Sequence, residues 1–132
     1  MAKVMVFGSF DILHKGHLHF LTEAKSYGDC LIVVVAKDGT IMEVKGNPPK
    51  YNEHERLEHI RELSFVDRAV MGNEGDKYEI IQEFNPDFIC LGYDQNSFTD
   101  NLKEELKKRG INAVVLRLRS YMEHIYKSSK LR

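Results

Sequence analysis

The chain has 132 residues, a length that suits one domain around one hydrophobic core. Apolar residues make up 42%, charged residues 30%, and the formal net charge is -1, so no global basic field points to a nucleic-acid partner. No apolar run approaches the roughly 20 residues that a membrane helix needs. Met1-Ala2-Lys3 passes straight into a strand-like run without a signal peptide's pattern; no membrane partner and a cytoplasmic location are expected.

Short apolar runs alternate with helical patterns along the chain. The first strand is expected at Val4–Phe7. His17–Tyr27 follows as a helix, with Leu18, Leu21 and Ala24 on one face and Gly28 as its stop. Leu31–Ala36 is the second strand, and a turn-rich loop carrying Glu43-Val44-Lys45-Gly46-Asn47-Pro48-Pro49-Lys50 comes after it. Glu53–Leu63 is helical, and Asn52 with Glu55 three residues later gives it a capping-box start. Arg68–Met71 is a strand. Tyr78–Phe84 is a helix opened by a similar Asp76/Glu79 pair and closed before Pro86. Phe88–Leu91, Asp100–Arg109 and Ala113–Leu118 complete the series as strand, helix and strand.

This β-α-β-α-β-α-β-α-β order predicts an α/β, Rossmann-like single domain over residues 1–132, with a five-stranded parallel sheet and helices on both faces. Cys30 and Cys90 fall in strand-like runs and are expected to be buried, reduced thiols. Ligands of such folds sit beyond the C-terminal strand ends. That directs attention to 8–16, 37–51, 72–77, 92–99 and 119–129.

The segment after the first strand reads Gly8-Ser9-Phe10-Asp11-Ile12-Leu13-His14-Lys15-Gly16-His17. Two histidines flank a glycine where a helix begins, and free N–H groups there suit an anion. Gly16 lets phosphate approach the backbone, and the imidazoles can donate to phosphate oxygens whose charge rises during transfer. Two other readings stay open for this pair: an HxxH metal site, and surface histidines without a task.

His14-Lys15-Gly16-His17, preceded by Gly8-Ser9-Phe10-Asp11, resembles the HxGH signature of the cytidylyltransferase-like nucleotidyltransferases. The resemblance extends to Lys45, Gly92-Tyr93-Asp94-Gln95 and the closing Lys127-Ser128-Ser129-Lys130. It implies an enzyme that moves an NMP unit from a nucleoside triphosphate to a phosphate monoester and releases pyrophosphate. It implies His14, His17 and Lys45 as catalytic residues. Gly8, Ser9, Phe10, His14, Gly16, His17, Gly92, Asp94, Ser128 and Ser129 would bind the nucleotide, and Asp11, Lys45 and Arg56 would serve the acceptor, Arg56 either by contacting it or by organising the site. No residue is assigned to a protein-held metal; Mg²⁺ would ride on the triphosphate. Lys50 is the reserve for Lys45, and Arg117 and Arg119 are further phosphate candidates. Asp67, in Phe65-Val66-Asp67, is expected to be structural.

The Lys-Gly-x-x-Pro loop and the later motifs resemble the archaeal FAD synthases most, which join ATP and FMN. Glycerol-3-phosphate cytidylyltransferases, which use CTP, are the alternative, and a non-catalytic nucleotide-binding module is the alternative of another class. Family analogy implies a homodimer. The resemblance also implies a helix after Ser128-Ser129, which the end at Arg132 would truncate.

Overall fold

The computed structural model of the protein describes residues 2–73, 75–92 and 101–118. Among them the order is β1 (Lys3–Gly8), α1 (Lys15–Lys25), β2 (Cys30–Val35), α2 (Asp38–Lys45), α3 (Glu53–Arg61), β3 (Arg68–Met71), α4 (Glu79–Phe84), β4 (Phe88–Leu91), α5 (Leu102–Lys108) and β5 (Val114–Arg117). The strands form one sheet in the order β3-β2-β1-β4-β5, and every pairing is parallel. The expected architecture is therefore the observed one.

The strands are apolar because both faces are covered. Val4, Val6, Val33 and Val35 point to one side and join Leu21 and Ala24 of α1 with Leu57 and Ile60 of α3. Met5, Ile32, Val34 and Ile89 point to the other and join Ile80 and Ile81 of α4 with Leu102 and Leu106 of α5. The period of two along β1 thus sorts neighbouring residues into two core layers. Strand order reverses at β1, which has β2 on one side and β4 on the other. The C-terminal ends of β1 and β4 therefore border the switch-point crevice where such sheets bind ligands.

Most boundaries shift by one or two residues, and three departures have a structural reason. α1 starts at Lys15 and ends at Lys25, before Gly28. Gly28 answers to close packing instead, since a Cβ there would lie 2.6 Å from the Ala2 carbonyl oxygen. Part of the expected loop after β2 is a helix, α2, with Lys45 as its last residue and Gly46 in the left-handed conformation behind it (φ 77°). Asp76 opens α4 without a reciprocal box. Its Oδ1 accepts from the Tyr78 N–H at 3.0 Å, and its carbonyl accepts from the Glu79 N–H at 3.3 Å. The box expected at α3 is present: Asn52 Oδ1 accepts from the Glu55 N–H at 2.9 Å, and Glu55 Oε1 accepts from the Asn52 N–H at 3.1 Å.

Cys90 is buried as expected, whereas Cys30, at the start of β2, is only half-buried. Asp67 is structural: it pairs with Lys25 and accepts from the Leu31 N–H. The Lys25 hydrogen bond leads the interactions that hold its carboxyl below the usual range.

Candidate active site

The loop from Gly8 to His14 turns the chain from β1 into α1. Phe10 holds the turn. Its backbone lies in the left-handed region (φ 50°), and its side chain belongs to the core. A Cβ on Gly8 would stand 2.8 Å from the Phe10 ring, so the two residues form one packing unit. A non-glycine residue held at positive φ stores local strain. Here the buried ring fixes it. Only the backbone of Phe10 is left to meet a nucleotide.

His14 is the N-cap of α1. Its Nδ1 accepts from the Gly16 N–H at 3.0 Å. A neutral imidazole that accepts at Nδ1 carries its proton on Nε2, which makes Nε2 a donor toward anything beyond the helix end. The His17 ring stacks on His14 with centroids 4.0 Å apart and 25° between planes. Phe10 meets His17 edge-on at 5.6 Å. The helix begins two residues earlier than the sequence pattern suggested, so Gly16 and His17 both lie in its first turn. The Gly16 N–H, expected to face phosphate, is engaged by His14 in this structure.

Lys45 reaches the same loop from α2: its Nζ lies 3.4 Å from Ser9 Oγ. The ammonium at the end of α2 thus reaches the loop that leads into the α1 N-terminus, where free N–H groups favour anions. Lys45 does this from the end of a helix rather than from the turn-rich loop expected.

Arg56 has no accessible surface. Its Nε donates to the Tyr51 carbonyl at 3.0 Å. One terminal nitrogen donates to the Ser9 and Ala36 carbonyls at 2.9 and 2.7 Å, and the other to Asp38 Oδ1 at 2.7 Å. The guanidinium ties the first loop, the end of β2, α2 and the start of α3 together. Of the two roles implied for it, the geometry is that of an organiser and not of a group held out to an acceptor.

Asp11 is likewise engaged internally. Its oxygens accept from the Lys50 and Tyr51 N–H groups at 2.7 and 2.8 Å. Burial opposes its ionisation, but those two donors and the charges of Arg56 and Lys45 outweigh it and hold the carboxyl below the usual range. Lys50, the reserve candidate, contributes its backbone here.

Gly92 follows β4, and its carbonyl accepts from an Arg117 guanidinium nitrogen at 2.7 Å. This places Arg117 beside the crevice. Asp94, Arg119, Ser128 and Ser129 lie outside the described residues. Among the described residues no group of three or more His, Cys, Asp or Glu side chains gathers as a metal cage.

Sequence reasoning passed over Asp38 and Glu53. Asp38 receives Arg56, and its N–H donates to Glu53 Oε1 at 2.8 Å, fixing the start of α2. Asp38-Gly39 directly after a strand was the available signal, an acidic residue in a helical first turn.

Two stacked histidines at a helix N-terminus, with a lysine reaching the loop that leads into it, set at the switch point of a parallel sheet, define a class: α/β proteins that handle phosphate esters. The Cytidylyltransferase-like family profile matches residues 5–132. The chain is 47% identical over 131 residues to the FAD synthase of Thermococcus sibiricus, spanning 98% of this chain and 88% of that protein. It is 44% identical over 132 residues to the FAD synthase of Thermoplasma volcanium, spanning 100% and 92%. A crystal structure described as the lipopolysaccharide core biosynthesis protein from Thermoplasma volcanium GSS1 superposes with a TM-score of 0.86 at 45% identity, covering 92% of this chain and 98% of that one. Pantoate-beta-alanine ligase from Francisella tularensis shares the fold, with a TM-score of 0.66 at 17% identity over 91% of this chain and 59% of that one. The chain belongs to the cytidylyltransferase-like family and is a nucleotidyltransferase.

Proposed function

We propose that the chain transfers AMP from ATP to the phosphate of FMN, forming FAD and releasing pyrophosphate. One observation carries the chemistry. Stacked His14 and His17 and the Lys45 ammonium converge on the loop at the α1 N-terminus. The relatives named FAD synthase, matched over nearly the full chain, support the substrates.

An oxygen of the FMN phosphate attacks the α-phosphorus in line, the new P–O–P bond forms, and the α–β bond breaks with pyrophosphate taking the electron pair. The acceptor is already ionised at neutral pH, so positioning and electrostatics suffice. His14 Nε2–H donates to an α-phosphate oxygen, and His17, in ring contact with both His14 and Phe10, does the same. Lys45 draws the acceptor phosphate and the α-phosphate together. Asp11 and Arg56 act as positioning residues that hold the loops carrying these groups. Gly92 and Asp94 take the nucleoside side, and Ser128 and Ser129 hold the departing pyrophosphate, roles that rest on sequence resemblance. Mg²⁺ carried on the triphosphate would supply charge neutralisation there. A homodimer in the cytoplasm completes the reading by family analogy.

ATP or CTP, each crossed with FMN, glycerol 3-phosphate and a sugar phosphate, tests it through pyrophosphate release and product mass. FAD from ATP and FMN alone is the expected result. Product from CTP and glycerol 3-phosphate moves the chain to the alternative substrates. Nucleotide binding without turnover in any combination makes it a binding module and ends the proposal.

A further inference from the structure

A groove of about 410 Å³ lies between α2, the segment after it and the start of α3. Its walls include Met42, Pro48, Pro49, Lys50 and Asn52, with Asp38 and Glu55 as its carboxylates. Three features distinguish it. Met42 is 46% exposed although apolar, and two consecutive prolines flank it with ring faces and no N–H donors. Asp38, Met42 and Lys45 are spaced four and three residues apart and so share one face of α2. The same helix face therefore carries the apolar patch and the ammonium that reaches Ser9. Finally, the Lys50 N–H is bonded to Asp11 at 2.7 Å, which joins the far wall of the groove to the first loop.

We infer that this groove holds the body of the acceptor, that this body is a planar, largely uncharged heteroaromatic ring, and that Met42 and Pro48 select it. The inference rests on the reading of FMN as acceptor and deepens it. A phosphate between His14 and Lys45, followed by a flexible polyol arm, delivers the ring to the Met42–Pro48–Pro49 wall. The volume falls within the range of small-molecule sites. A polarisable thioether packs well against an aromatic face. Asn52 has its Oδ1 committed to the Glu55 N–H, so what it offers a ring carbonyl is its NH₂ donor. A glycerol phosphate acceptor, which has no ring, would leave this wall uncovered.

The test is the double variant Met42→Ser/Pro48→Ser, neither residue being part of the phosphate machinery. Two readouts are needed: steady-state kinetics with ATP and FMN, and equilibrium dialysis of FMN against the protein without ATP. KM and Kd for FMN should each rise about tenfold, the size of effect that a lost apolar contact gives a pocket. KM for ATP should change less than twofold and kcat less than threefold, since uniform acceptor binding is what is removed. FMN constants within twofold of wild type, or an equal rise for ATP, overturn the inference. If wild type makes no FAD, the proposed function falls, and the dialysis still decides the groove. If the double variant melts well below wild type, Met42→Ser alone, at an already exposed position, takes its place and is read by the same constants.

Discussion

Arg56 donates to Asp38 Oδ1 at 2.7 Å across a sharp difference in setting: the guanidinium has no exposed surface, and the carboxylate is 40% exposed. Solvent still stabilises Asp38. Arg56 depends wholly on its four acceptors. Arg56→Met removes the donor for the Tyr51, Ser9 and Ala36 carbonyls at once. Three acceptors left unpaired at about 1 kcal/mol each cost about 3 kcal/mol. Urea unfolding should show a loss of that size, and Arg56→Lys, which keeps charge without the planar fork, should recover only part of it. A loss below about 1 kcal/mol would refute the organising role.

Gly8→Ala tests the packing beneath the histidines. The added methyl would meet the Phe10 ring at 2.8 Å, and Phe10 braces His17. Overpacking costs roughly 1–3 kcal/mol. Because the ring must move, turnover should fall along with the melting temperature. Full turnover in a destabilised variant would show that the Phe10–His17 contact does not matter to the chemistry.

His17→Ala should lower kcat by roughly 10²–10³, as when one transition-state donor is lost. Thermal unfolding should stay near wild type, because His17 is only half-buried. A tenfold or smaller fall in kcat, with the fold intact, would remove His17 from the mechanism.

Legibility in the sequence followed the range of the causes. The strands of the sheet were readable because Val, Ile and Leu runs bounded by turn residues announce buried parallel strands. The α3 box was readable because Asn52 and Glu55 act over three residues. α2 was not: Ile41 is its one buried residue, and its start is fixed by Glu53 and Arg56, 15 and 18 residues away. The same holds at the site. The histidine loop is contiguous and could be read directly. Arg56 could be noticed but not placed, since its partners come from separate stretches of chain. The readings of Asp94, Ser128 and Ser129 fall outside the described residues.

Asp11 gives the fold an acid limit. Its folded value lies below the 3.8 of an ordinary aspartate, with burial opposed and outweighed by the Lys50 and Tyr51 donors and the nearby cations. The native state therefore binds fewer protons than the unfolded one in this range, and stability falls as pH drops. The contribution is complete above about pH 4 and is lost as pH passes down through the depressed folded value. Asp11→Ala should be less stable than wild type at pH 7, with the gap closing below about pH 4 in urea titrations. A gap that stays constant down to about pH 2.5 would mean that the carboxylate's charge plays no part.

Cys90 and Cys30 should separate cleanly by reactivity. Burial, with a smaller contribution from Glu23, pushes the Cys90 thiol up to about 11, and its side chain is inaccessible in the middle of the sheet. At about pH 8 roughly one Cys90 in a thousand is thiolate, and the thiolate is the reactive form. Cys30 is half-buried at the edge of β2. A thiol reagent added to the native protein at about pH 8 should label Cys30 in the first phase and leave Cys90 intact until denaturant is added, as read by peptide mass. Raising the pH to about 9.5 should quicken Cys90 labelling only as far as the sheet opens, because access still limits it. Equal labelling of both thiols at the lower pH would show that β4 opens readily and that the core on that side is looser than its packing implies.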